Sequence, residues 1–259
     1  MNKIARVFDG KKVFIAFITG GDPDIETTEN LIIAMAKSGV DIIEIGIPFS
    51  DPVAEGIVIQ DADERALANG CTVDKLFDMV RRVRRHVDIP LLFMSYINPI
   101  FVYGKERFME KCSQCGIDGV IVPDLPFEEK GEIAAECVKH GITQITMIAP
   151  TSQERVKMIA NDAEGFIYCV SSLGVTGVRS EIDTGIAAMI EQVKNISATP
   201  CAIGFGISTP MQAQEMAVIS DGIIVGSAIV KLIAEYGREC IEPVTQYVRK
   251  IGDAVRTVD

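Results

Sequence analysis

The stretch IEIGIPFSDPVAEGIVI (43–59) holds three carboxylates, Glu44, Asp51 and Glu55. Glu44 lies in an apolar, β-rich run, where a carboxylate is costly unless it is paired, protonated or working. Held there it should have a raised pKa. A buried ion pair with Lys or Arg is the alternative for Glu44, and ordinary loop solvation is the alternative for Asp51 and Glu55. Only two histidines occur, His86 and His140, so a Ser/His/Asp triad or a histidine-rich metal site has little to be built from. Seven cysteines are scattered through apolar segments. Cys112 and Cys115 form a CxxC, but no second pair stands at metal-ligand spacing, so no metal is expected. Acid-base chemistry therefore falls to carboxylates.

Two further runs point to an anion. GFGIS (204–208) and VGSAI (225–229) each end a β-rich segment in glycine, and the loop SSLGVTG (171–177) adds two more. Glycine lets a backbone approach an anion closely, and a Gly-Ser pair opening a helix presents free N–H groups at the positive end of its dipole. Gly206, Gly226 and Ser227 are thus candidate phosphate ligands, with tight strand-to-helix turns as the alternative.

These residues need a frame. Eight apolar, β-rich runs recur: VFIAFITG (13–20), DIIEIGIP (41–48), PLLFMSYI (90–97), GVIVPDLP (119–126), QITMIAP (144–150), GFIYCVS (165–171), PCAIGFG (200–206) and DGIIVGS (221–227). Between them, segments such as TTENLIIAMAKSG (27–39) and VDKLFDMVRRVRRHV (73–87) carry helical spacing, with Gly39, Gly116, Gly141 and Gly222 where helices hand over to strands. Eight strands alternating with helices predict a (β/α)8 barrel, a TIM barrel, over residues 1–259 as a single domain, with a doubly wound open sheet as the alternative. Chemistry in such a barrel sits at the carboxyl ends of the strands, and phosphate often sits after strands seven and eight. The strand ends here offer Asp22, Glu44, Tyr96, Asn98, Asp124, Tyr168 and Phe205.

With 259 residues, 48% of them hydrophobic, the chain has enough for one large core. Its net charge of −11 and the shortness of its longest basic run, RRVRRH (81–86), argue against nucleic acid; that run reads as a solvated helix face. VFIAFIT is too short to span a bilayer and is followed by Gly20, Gly21, Asp22 and Pro23, not by a cleavage site. A soluble, unprocessed, cytoplasmic protein with reduced thiols is expected.

IEIGIPFSDPVAEG, together with ITGGDPD, PDLPFEE, SSLGVTG, GFGIS and VGSAIVK in this order, resembles the tryptophan synthase alpha chain family, over about residues 13 to 232. The resemblance implies a (β/α)8 barrel that cleaves indole-3-glycerol phosphate to indole and glyceraldehyde 3-phosphate by a retro-aldol reaction, without a cofactor of its own. It places Glu44 at the family's catalytic glutamate and Glu55 at its second acidic residue, which should stay ionised on a more solvated loop and accept from the indole N–H. The family commonly has Asp-Gly-Pro where this chain has Glu55-Gly56-Ile57, one methylene longer and without the stiffening proline. Tyr168 matches an active-site tyrosine, and Thr176 and Gly177 match the loop that closes over substrate. Ser172 stands where some members have arginine. Tyr96, Tyr168, Thr176 and Phe205 form the expected substrate set; Gly177, Gly206, Gly226 and Ser227 form the phosphate set.

The resemblance also implies a partner, a pyridoxal-phosphate beta subunit in an alpha-beta-beta-alpha (α2β2) assembly. Its contact is expected at Pro48, Phe49, Asp51 and the 98–101 loop. Two other readings are a stand-alone lyase that releases free indole and a non-catalytic regulatory barrel.

Overall fold

The computed structural model describes residues 3–149, 153–170, 184–204 and 206–258. Eight parallel strands close into a barrel in chain order: β1 (Val13–Thr19), β2 (Ile42–Gly46), β3 (Leu91–Met94), β4 (Gly119–Ile121), β5 (Thr143–Ile148), β6 (Ile167–Val170), β7 (Cys201–Gly204) and β8 (Gly222–Val225), with β8 pairing back onto β1. Each strand lies within one of the eight apolar runs, β5 starting one residue earlier. The closed ring leaves no sheet edge and excludes the open-sheet alternative.

Helices cover the outside. The first five are α1 (Lys3–Val7), α2 (Ile25–Lys37), α3 (Ile57–Ala68), α4 (Val73–Val83) and α5 (Ile97–Tyr103). They are followed by α6 (Lys105–Cys115), α7 (Gly131–His140), α8 (Gln153–Asn161), α9 (Thr184–Ile196), α10 (Pro210–Ile219), α11 (Ser227–Tyr236) and α12 (Ile241–Arg256). Their starts are written locally: Asp24 accepts the Thr27 N–H at 2.7 Å, and Thr209 with Gln212 forms a reciprocal capping box at α10. Gly116 and Gly141 end α6 and α7 in the left-handed conformation, as anticipated. Gly222 does not lie in a turn; it is the first residue of β8, where a Cβ would come within 2.9 Å of the Val13 carbonyl oxygen.

Alternation along each strand creates two cores. Phe14, Ala16, Ile18, Ile43 and Ile45 face the helices, while Val13, Ile15, Phe17, Ile42, Leu92, Ile121, Tyr168 and Ile224 fill the barrel. Ile4 of α1 and Phe8 join the inner core, Phe8 lying 5.7 Å from Phe166 between ring centres, so the amino end is sealed by hydrocarbon.

Around that sealed end three aspartates repeat one device. Asp41, Asp118 and Asp221 each precede a strand and accept an N–H from the neighbouring one: Phe14 at 2.9 Å, Leu91 at 2.9 Å and Cys201 at 2.8 Å. Each also meets a cation: Lys11, Arg84 and Lys194 respectively. Arg84 departs from the solvated face expected for RRVRRH. Its side chain is 15% exposed and donates to the carbonyls of Gly116 and Ile89 as well as to Asp118, whereas Arg81, Arg82 and Arg85 remain exposed.

Candidate active site

Glu44 owes its position to strand parity. In β2 the flanking Ile43 and Ile45 face outward, so Glu44 points into the barrel, paired in register with Phe17 on one side and Leu92 on the other. It is 0% exposed, and neither carboxylate oxygen has a hydrogen-bond partner among the described residues. The ion-pair alternative is thereby excluded within those residues. Burial pushes its carboxyl up to about 8, with the negative charge of Glu55 adding to the rise.

Glu55 sits on the loop between β2 and α3. That loop is laced internally: Ser50 donates to Asp51 at 2.7 Å, the Val53 N–H to the Asp51 carbonyl at 3.0 Å, and Gln60 to the Glu55 carbonyl at 2.7 Å. Asp51 is exposed and shapes the loop. From the end of β3, Tyr96 holds the loop down, its hydroxyl accepting the Ala54 N–H at 2.8 Å and its ring lying 5.3 Å from that of Phe49. In consequence Glu55 is half-buried, and burial pushes its carboxyl up to about 7. This corrects the expectation of a solvated glutamate that stays ionised: burial takes away the water that the loop's composition suggests. Burial raises both carboxyls, and Glu44 is the more deeply buried of the two.

Tyr168 of β6 is buried beside both carboxyls. Burial and then the charges of Glu44 and Glu55 raise its phenol well above the ordinary tyrosine value. Its ring occupies the space over Gly204 of β7, where a Cβ would lie 2.5 Å from the ring. Beyond β7, Gly206 turns the chain with φ 78°; beyond β8, Gly226 caps α11, which begins at Ser227. The Ile229 and Val230 amides bond back to the Gly226 carbonyl at 2.8 and 3.1 Å, leaving the first amides of α11 directed out of the helix start. The structure therefore gathers Glu44, Glu55, Tyr96, Tyr168, Gly206, Gly226 and Ser227 at the carboxyl end. Thr176, Gly177, Phe205 and Ser172 lie outside the described residues.

Other strand-end residues turn out to be structural. Asp22 is buried and bound by Arg65 through two contacts of 2.9 and 2.8 Å, and Asp124 accepts the Ile97 N–H at 2.9 Å. Two neighbours of the site were missed. Phe17 lies beside Glu44 in the sheet and packs under Gly226; its place in an even, apolar strand gives no sign of that. Asp63, in the helical run IQDADERA, is buried against the Glu55 loop, although its sequence reads as an exposed helix face. Cys112 and Cys115 are buried in α6, and no group of three His, Cys, Asp or Glu is placed to hold a metal among the described residues.

A family model described as tryptophan synthase alpha chain matches residues 5–256. The tryptophan synthase alpha chain of Lacticaseibacillus casei is 46% identical over 261 residues, covering 100% of this chain and 98% of the relative. That of Caldanaerobacter subterraneus subsp. tengcongensis is 45% identical over 262 residues, covering 98% and 100%. Among solved structures, tryptophan synthase subunit alpha from Legionella pneumophila str. Paris superposes with a TM-score of 0.91 at 36% identity over 100% of both chains. A tryptophan synthase complex from Pyrococcus furiosus gives 0.84 at 36% identity, covering 93% of this chain and 98% of that one.

Proposed function

Because the chain belongs to the tryptophan synthase alpha chain family, and so cleaves indole-3-glycerol phosphate to indole and glyceraldehyde 3-phosphate, we propose that Glu44 and Glu55 divide the proton transfers of that cleavage. Breaking the bond from indole C3 to the glycerol side chain needs a proton on C3, loss of a proton from the adjacent hydroxyl, and support for the indole N–H as positive charge passes through the ring. Glu44, protonated at neutral pH, gives its proton to C3; the carboxylate left behind then takes the hydroxyl proton, and the residue ends as it began. Glu55, ionising near neutrality, accepts from the indole N–H and favours the cationic tautomer. The observation that carries this reading is the unpartnered, fully buried Glu44 carboxyl beside a second, less buried one.

Tyr168 and Tyr96 would frame the indole, and the turns at Gly206, Gly226 and Ser227 would take the phosphate, backed by the start of α11. The reaction uses no cofactor on this chain; pyridoxal phosphate belongs to the beta chain, with which the family's alpha chain pairs. We place that partner over the exposed apolar side chains of the β2–α3 connection, Val53 (85% exposed) and Ile57, and of α5, Phe101 and Val102 (81%), with the exposed Asp51. Pro48 is buried and Phe49 lies against Tyr96, so these two offer less surface to a partner. An α2β2 assembly, one domain over residues 1–259 and a cytoplasmic location complete the proposal. No helix among the described residues is long and apolar enough to cross a membrane.

The test is indole release from indole-3-glycerol phosphate by the purified chain, with and without its cognate beta subunit. Slow release that rises with the partner and is lost in Glu44→Gln supports the proposal. Fast release by the chain alone favours a free lyase, and none in either case leaves a regulatory barrel.

A further inference from the structure

The amino end of the barrel, away from Glu44, carries an open cavity of about 750 Å³ that the cleavage does not use. The α1–β1 loop, the end of α9 with the loop to β7, the end of α12 and Asp221 of the α10–β8 connection wall it. Phe8, Pro200 and Val258 give that wall hydrocarbon. Lys11, Lys12, Lys194 and Arg256 stand on it against Asp9 and Asp221, an excess of two positive groups in a chain whose net charge is −11.

Two of the cations are spent on the fold: Lys11 pairs with Asp41, and Arg256 donates to the Gly39 carbonyl. The other two converge. Lys12 Nζ donates to the Ser220 carbonyl at 2.8 Å, while Lys194 Nζ lies 3.3 Å from the Ile219 carbonyl and 3.0 Å from Asp221 Oδ1. Ammonium groups from two different elements thus meet on successive residues of one backbone segment. Asp221 does not serve both, because its second oxygen accepts the Cys201 N–H at 2.8 Å. No carboxylate lies within ion-pair distance of Lys12 among the described residues.

Capping of the last α10 carbonyls explains part of this arrangement. It uses one N–H of Lys12, and an ammonium has three. It also leaves two like charges near each other: burial, and after it the charge of Lys194, lowers the Lys12 ammonium below its ordinary value, with Asp221 opposing. An anion seated at the two lysines would relieve that repulsion and take the unspent donors. An inorganic ion would leave the hydrocarbon of the wall uncovered, and the volume is that of a small-molecule site.

We infer that this cavity is a second ligand site, which takes a small organic anion: a carboxylate or phosphate at Lys12 and Lys194, on an apolar body against Phe8, Pro200 and Val258. It does not rest on the roles proposed for Glu44 and Glu55. Its occupant stabilises the folded chain by mass action.

The test uses the purified full-length chain with phenylacetate and phenyl phosphate as anionic probes and phenylacetamide as their neutral counterpart. Amide NMR titration reads both ends of the barrel at once. At least one anion should give saturable shifts at Lys12, Thr199 and Asp221 and raise the melting temperature, and phenylacetamide should do neither; whichever anion binds more tightly tells carboxylate from phosphate. Lys12→Gln should weaken that binding about tenfold or more, Lys12→Arg should keep most of it, and added salt should weaken it in the wild type. If Lys12→Gln does not fold, Lys194→Gln takes its place, since Asp221 keeps the Cys201 amide there. Shifts confined to the carboxyl end, an equal response to phenylacetamide, or an affinity unmoved in both lysine variants would each overturn the inference.

Discussion

Asp22 and Asp124 apart, which are paired near the carboxyl end, the two ends of this barrel treat the same chemical group in opposite ways. At the amino end, Asp41, Asp118 and Asp221 each meet a cation and a strand amide, so their charge is fully spent on the fold. At the carboxyl end, Glu44 and Asp63 are buried with no cation among the described residues, and Glu55 is half-buried with none either. Pairing a carboxylate with donors stabilises the folded state and fixes its charge; leaving it unpaired lets small changes in surroundings decide where the proton goes. The division matches the usual one in this architecture, with stability at the bottom and chemistry at the top. Here it is drawn by partners alone, since carboxylates occur at both ends.

Three substitutions would sharpen or break that contrast. The largest effect is expected of Glu44→Gln. Indole release should fall about a thousandfold or more, measured as kcat with the beta subunit present. Its stability should move the other way. The folded-state carboxyl is raised to about 8, so the folded chain holds a proton that the unfolded chain has already lost, and wild-type stability falls as pH rises from about 4.5 to 8. Glu44→Gln should flatten that fall and unfold at higher denaturant than the wild type at pH 9. A variant less stable than wild type at that pH would show Glu44 to be a structural group after all.

Next in size, Asp118→Ala strands Arg84 and the Leu91 N–H, at a cost of about 3 kcal/mol read from denaturant midpoints. The kcat of the molecules that remain folded should stay at the wild-type value. A kcat that drops with stability would mean the two ends are not separable.

The smallest effect is expected of Tyr96→Phe, which keeps the ring against Phe49 but removes the acceptor for the Ala54 N–H. About 1 kcal/mol of loop ordering is lost, and kcat/KM should fall roughly fivefold with little change in overall melting. A fall as large as that of Glu44→Gln would make the tyrosine a direct participant.

The frame could be read from the sequence because β-branched runs and helical spacing are local properties, and all eight strands fall where those runs lie. Glu44 was legible for the same reason, as a carboxylate in an apolar, β-rich run; that it points into the barrel came from the structure. Glu55 was only half legible. Its loop looks wet in sequence, and the tyrosine that ties it down comes from beyond the end of β3, 42 residues after Ala54. Asp63 was hidden because helix α3 carries several charges, and only packing decides which of them turns inward. Asp22 and Asp124 were read as strand-end chemistry, but Arg65 and the Ile97 amide claim them. The amino-end aspartates did carry a signal that went unused: an Asp stands immediately before β2, β4 and β8.

The closure of β8 onto β1 also sets a timetable for synthesis. Ala16 pairs with Val225, about two hundred residues later in the chain. At roughly 5–20 residues per second, one edge of β1 waits on the order of ten to forty seconds on the ribosome before its partner is made. During that interval VFIAFIT is an unfinished edge, open to any other extended chain. The last third of the chain, which supplies β7 and β8, is what ends the exposure. A stall in translation late in the message would therefore be more dangerous to this protein than an early one.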